Sequence, residues 1–428
     1  MGNRKTKTFR QVMKYKIGLF FFFIAVAVSA KQIVVCQSCG IKTIKEAIKI
    51  ANDGDEILIK KGVYKEQNIV INKPISLIGE KGAVIDGNNV GGILIFKTSN
   101  FTIKGLKIVN VGLSYTIEYS AIKVVKASDF IIENCIFENV FFGILIEKSK
   151  RGIIRNNIIT SNRKGEASSG NGIHIWSGEE MKIYNNEMYG LRDGIYFEFV
   201  KNSIVYKNYS HNNIRYGLHF MFSNNNMYHH NEFRNNGAGV AVMYSKFTTM
   251  HHNKFRLNWG SASYGLLLKE IYDAEIYDNL FEQNTIGINA EGSTRINYKN
   301  NTFSRNGWAV KISGACYTNT FKNNDFLNNS LDLAYNSNIN DNKFDNNYWS
   351  EYTGYDLDKN GIGDVPYRPV KLFSYIVNKT PEALVLLRSL FVDIINFSEK
   401  VSPVFTPDNL MDSNPIMKRA TTNFDTTK

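Results

Sequence analysis

Residues 217–255 read GLHFMFSNNNMYHHNEFRNNGAGVAVMYSKFTTMHHNKF, which is two passes of one motif: Gly, an alternating apolar run, a second short run, then Asn, one residue and Phe. The first pass carries Gly217, Asn231 and Phe233, and the second Gly239, Asn253 and Phe255. The same fourteen-residue offset links Gly143 to Asn157, Gly172 to Asn186, Gly194 to Asn208, Gly265 to Asn279 and Gly287 to Asn301. Insertions such as Ser161 to Ser169 fall outside that offset, where a surface loop belongs. Period-two alternation means strands, and a fixed repeat of roughly two dozen residues means that each strand pairs with its equivalent in the next unit. The sequence therefore predicts an all-β chain, a right-handed parallel β-helix whose equivalent residues stack in rows about 4.8 Å apart.

The columns of the repeat become rows in space. The Asn column predicts an inward amide ladder at a turn, and Phe233, Phe255, Phe281 and Phe303 predict a stacked core row. The Gly column predicts sharp bends with positive φ. Residues one and three after each Gly are apolar and point inward, so those two and four after it point outward. Thr43-Ile-Lys-Glu46 reads as a capping box, and Thr43 to Ala51 as an amphipathic helix covering the open end of the coil.

The N-terminus is basic through Lys16, apolar from Ile17 to Val28, and offers Val28-Ser29-Ala30 for cleavage, so residues 1–30 read as a signal peptide of an exported protein. Residues 31–345 form the β-helix with its cap, 346–370 an Asp/Gly-rich loop, and 371–428 a C-terminal docking helix and tail. The net charge of +12 is partly signal peptide, and the remaining Lys and Arg alternate with Asp and Glu, which argues against a nucleic-acid partner. Four cysteines are too few for a disulfide scaffold.

All seven histidines lie between His174 and His252, together with six methionines. Imidazole and thioether are ligands for copper in an oxidising compartment. The outward columns read His174, Tyr196, His219, Ala241 beside Trp176, Glu198, Met221, Met243, and His219, Met221 and Met243 form the primary candidate copper group, with His174 in the same column. The alternative is a sticky patch for a protein partner, with Trp176 and Tyr196 as contacts. His229 over His251 and His230 over His252 make a weaker metal candidate or a polar ladder. Cys36 and Cys39 form a disulfide or a soft-metal pair. Met188 and Met250 fall in inward columns and read as core.

Asp356, Asp358, Asn360 and Asp364 place oxygens at calcium-loop spacing, although Tyr367 stands where an EF-hand has Glu. The alternative is a hydrogen-bonded Asx turn. Pro381 to Asn396 reads as a helix with Leu384, Leu387, Phe391 and Ile394 on one face, seeking either the coil or a partner.

The strings Gly172-Ile-His-Ile-Trp176, Gly190-Leu-Arg-Asp-Gly-Ile-Tyr196, Arg215-Tyr-Gly-Leu-His-Phe-Met-Phe222, Gly237-Ala-Gly-Val-Ala-Val-Met-Tyr244 and Asp356 to Pro369 resemble the NosD family. That resemblance implies a non-enzymatic periplasmic accessory protein for nitrous oxide reductase maturation. It would work with an ABC transporter made of an ATPase and a permease, supplying copper, with sulfur as a second candidate cargo, to the reductase's copper cluster. It further implies that the C-terminal region docks on the permease, giving peripheral membrane association, and admits another copper chaperone as partner. The Cys36–Cys39 pair is outside the family's pattern. Two rival readings are a carbohydrate-binding or carbohydrate-active β-helix, for which Glu198 is the lone outward carboxylate of this zone, and a scaffold that carries no metal.

Overall fold

In the computed structural model, which describes residues 31–336, 341–401 and 410–419, the repeat forms a parallel β-solenoid. The signal segment expected at residues 1–30, and residues 402–409 and 420–428 of the tail, lie outside the described residues. One coil consists of Tyr216–Met221, Met227–His229 and Glu232–Arg234, and the next of Ala238–Met243, Thr249–His251 and Lys254–Arg256. The pairs are parallel and in register, with His219 opposite Ala241, His229 opposite His251, and Phe233 opposite Phe255. The first two strand positions of each coil, faces one and two, belong to a 25-stranded sheet, and the third face is a 13-stranded sheet. The 14-residue strand Phe142–Arg155 runs across the corner and joins faces one and two.

The corners are single residues in the left-handed region. Between faces two and three these are Asn156, Asn185, Lys207, His230, His252, Asp278 and Asn300, with φ from 53 to 55°. The residue after each is the ladder Asn, whose buried amide satisfies the backbone groups the corner leaves unpaired. Each Nδ2 donates to the Oδ1 of the next coil's Asn at 3.0 Å from Asn157 through Asn301. The row continues through Asn324 and Asn347 and ends on Asp412, which also accepts from the Asn347 backbone and from Trp349 Nε1. A second amide row, not foreseen above, links Asn213, Asn236, Asn258, Asn284, Asn306 and Asn329. The Phe row stacks as expected, with centroids 5.5, 4.6 and 5.0 Å apart from Phe233 to Phe303, and is extended by Phe326 and Trp349.

The Gly column has a different cause from the one expected. None of its seven members is among the residues with positive φ. Each lies where successive coils approach closely: a Cβ on Gly217 would stand 2.8 Å from the Gly239 carbonyl, and one on Gly194 2.6 Å from the Gly217 carbonyl. Backbone proximity, not handedness, selects Gly there.

Both ends are closed. Helix α1 (Ile44–Ile50) has the reciprocal Thr43/Glu46 capping box and buries Ile44, Ala47 and Ile48. Glu66 accepts from the Ile44 and Lys45 backbones at 2.7 and 3.1 Å, placing a carboxylate at the helix N-terminus. The last coil strand is Tyr348–Trp349, beyond the expected boundary at 345. The single helix expected from Pro381 to Asn396 is instead a hairpin: α2 (Leu372–Lys379), a 3-10 turn (Pro381–Leu386) and α3 (Leu390–Val401). The break lets Leu387 and Val392 join Phe373 and Val377 on Trp308, Leu331 and Ala334 of the solenoid, which a straight helix could not do. Leu384, Val385, Leu390, Phe391, Ile394 and Phe397 stay exposed, Val385 by 87%. No helix among the described residues is long and apolar enough to cross a membrane.

Candidate metal-binding face

Strand alternation puts Leu218 and Phe220 in the core and turns His219 and Met221 out onto face one. Met221 is register-paired with Met243 on the next coil, so the sequence-predicted group His219, Met221 and Met243 is brought together on adjoining coils. Outward here does not mean wet. His219 is only 6% exposed, walled by the rings of Tyr196 and Tyr216, each with its centroid 4.8 Å away. Both of its ring nitrogens are buried without a hydrogen-bond partner. Burial first, then the nearby Arg215 and Arg192 guanidinium groups, push its pKa down to about 4, so the imidazole is neutral at pH 7. The Tyr196 hydroxyl donates to the Met221 sulfur at 3.6 Å. Neutral buried imidazole beside two thioethers suits a soft monovalent cation, with Glu198 on the preceding coil as the neighbouring carboxylate. The orphaned nitrogens leave His219 with unused ligand capacity, so this donor set fits copper.

His174 stands apart from that group. Tyr196 lies between it and His219, with centroids 4.7 and 4.8 Å away, and its Nδ1 is 3.4 Å from the Asn171 amide. Burial, with Arg192 contributing, lowers its pKa to about 3. Trp176 is partly exposed, with the Lys148 ammonium 4.9 Å from its ring centre. Tyr216, Arg215 and Arg192, which set the environment of His219, were not singled out from sequence, although Tyr216 directly precedes the motif Gly.

At the corner of faces two and three, His229 stacks on His251 and His230 on His252, each pair with centroids 4.8 Å apart and nearly parallel. The Tyr184, Tyr206 and Tyr277 rings continue the first column. Met188 and Met250 are fully buried, as expected for core. Cys36 and Cys39 are disulfide-bonded, which removes their thiolates from the metal candidates. In the Asp/Gly loop the side-chain oxygens of the calcium candidates accept backbone N–H groups. Asp356 takes Asn360 and Gly361, Asn360 takes Ile362, and Asp364 takes Leu357. This is the Asx-turn reading, and Tyr367 leaves the loop to pack on Trp349. Among the described residues no three His, Cys, Asp or Glu side chains converge closely enough to hold a metal ion, which leaves thioether-containing or two-imidazole sets.

A family model described as "Periplasmic copper-binding protein (NosD)" matches residues 163–354, the stretch that carries every histidine, and a "Right handed beta helix region" model matches residues 26–187. A Pseudomonas aeruginosa protein named "Probable ABC transporter binding protein NosD" is 27% identical over 370 residues, covering 82% of this chain and 86% of its own. A Stutzerimonas stutzeri protein of the same name is 26% identical over 380 residues, covering 84% and 86%. Among solved structures, a Yersinia enterocolitica family 28 exopolygalacturonase superposes with TM-score 0.57 at 10% identity, over 74% of this chain and 78% of that one. The Streptococcus pneumoniae adhesin PfbA superposes with TM-score 0.56 at 15% identity, over 71% and 96%. At those identities the likeness is one of fold alone.

Proposed function

We propose that this chain, which belongs to the NosD family, is an exported, non-enzymatic accessory protein that carries copper as cargo on face one and passes it toward the copper cluster of nitrous oxide reductase while docked on an ABC transporter. The observation that carries the reading is His219: a neutral, buried imidazole with both nitrogens unpartnered, two residues before Met221, which is itself register-paired with Met243. Leaving a buried polar group unpaired costs about 1–3 kcal/mol, and a bound ion offsets that cost. The Tyr196 hydroxyl competes for the Met221 sulfur, so loading requires that weak bond to open. The exposed apolar side of the C-terminal hairpin, with Leu384 and Phe391, is the surface that would meet the permease.

The test is a Cu(I) titration against a chelator under reducing conditions, comparing the wild type with Met221→Leu/Met243→Leu and with His219→Ala. Stoichiometric binding lost in both variants supports the cargo reading. Equal binding in all three, or none in the wild type, refutes it and leaves a scaffold that positions reductase and transporter without holding metal.

A further inference from the structure

The four histidines at the corner of faces two and three are not used by the function above. Consecutive residues of a strand point to opposite sides, yet His229 and His230 share one side, as do His251 and His252. The cause is the left-handed corner, with φ of 55° at His230 and 54° at His252. The result is that Nδ1 of His229 lies 2.9 Å from Nδ1 of His230, and Nδ1 of His251 lies 2.9 Å from Nδ1 of His252.

We propose that each of these pairs is a two-imidazole chelate for a divalent first-row transition ion, Cu(II) before Zn(II), and that the quartet as a whole takes a single ion. An N···N separation of 2.9 Å, with bonds of about 2.0–2.1 Å to the ion, corresponds to an angle of about 90° at the metal, the cis angle of a tetragonal Cu(II) site. Without an ion, each contact is an N–H···N hydrogen bond, with one imidazole protonated on Nδ1. On binding, that ring shifts its proton to Nε2, so both Nδ1 lone pairs face the ion and no proton is released. For His252 the Nε2 position faces Asp278, whose carboxylate is 4.0 Å away and orients the ring as outer partners of ligating histidines do. Partial burial first, then the neighbouring imidazoles, hold the pKa values of His229, His230 and His251 down. All four rings reach solvent, and two imidazoles leave the other coordination positions open for exchange. The rings of the two chelates are stacked 4.8 Å apart, and with only neutral imidazoles to hold them a second dication would be repelled by the first.

The repeat itself supplies variants that preserve the fold. In the same columns Tyr184 precedes Asn185, and Asn185 has φ of 54°. His229→Tyr/His230→Asn and His251→Tyr/His252→Asn therefore install residues the corner already accepts. Copper(II) sulfate is titrated into the full chain and followed by electron paramagnetic resonance and calorimetry, with thermal unfolding as the folding check. The wild type is expected to bind one ion with nitrogen splitting, each two-residue variant still one, and the four-residue variant none at that site. Met221→Leu/Met243→Leu is expected to leave this signal unchanged, which separates failure of this site from failure of the Cu(I) site. Wild-type binding in the four-residue variant, or two ions in the wild-type quartet, overturns the assignment, as does a wild-type Cu(II) spectrum without nitrogen ligands.

Discussion

Replacing Asn253 by alanine tests the amide row at its centre. Asn253 is fully buried; its Nδ2 donates to the Tyr228 carbonyl and to Asn279 Oδ1, and its Oδ1 accepts from the backbone and side-chain N–H groups of Asn231. Alanine removes four hydrogen bonds and leaves the Asn231 donors and the Tyr228 carbonyl buried without those partners. At about 1 kcal/mol net per bond, with an added penalty for the orphaned groups, the loss should be about 4–6 kcal/mol. That is a large share of the ~5–15 kcal/mol that holds a typical domain. Because each coil touches only its neighbours, the loss should also split unfolding into two transitions. Urea denaturation followed by far-ultraviolet circular dichroism, and separately by tryptophan fluorescence in a Trp176→Phe/Trp259→Phe background that leaves Trp308 and Trp349 near the C-terminal end, would resolve them. Asn253→Asp, which keeps the acceptor but turns charge onto Asn279 Oδ1, should be at least as damaging at pH 7. A single transition weakened by under about 1 kcal/mol would refute the idea that the row holds the coils together.

Three further outcomes are expected. Acid should destabilise the chain between pH 6.5 and about 4, because unfolded His219 takes up a proton below 6.5 while the folded one refuses it until about 4; His174 and His251 act in the same window, so His219→Leu should make that part of a melting-temperature profile shallower without abolishing it. Gly217→Ala should cost about 1–3 kcal/mol through the clash with the Gly239 carbonyl, measured by the same urea titration. Replacing Val385, Leu390 and Phe397 by Ser should leave the melting temperature unchanged, since all three are exposed, yet weaken capture by transporter-containing membranes.

The fold was legible wherever a column repeated. Gly172 to Asn301 announced the coil length, and the Phe row announced the core. The earlier coils, such as Glu56–Ile59 and Ser76–Gly79, carry the same pairing without the Gly and Asn markers, so the first unit the motif marks is Gly143 to Asn157. The second amide row was available and overlooked: Asn213 follows Asn208 by five residues, as Asn236 follows Asn231 and Asn258 follows Asn253. Of the site, sequence alternation placed His219, Met221 and Met243 on one face. It could not reveal that His219 is enclosed, because the walls are Tyr196 from the previous coil and Tyr216 at the corner. In the Asp/Gly loop, spacing alone did not show that the Asp356 carboxylate takes backbone N–H groups of its own turn.

The meeting of Asn347 with Asp412 links residues 65 positions apart, and it sets when the molecule is finished. Coils can be added one upon another as the chain emerges, but every amide in the row points one of its two donors forward, toward a coil that has yet to arrive. The acid at 412 is the stop mark of that sentence. A chain cut before it would present an open donor row and unpaired strand edges to the next molecule, and would be expected to join end to end more readily than the full chain.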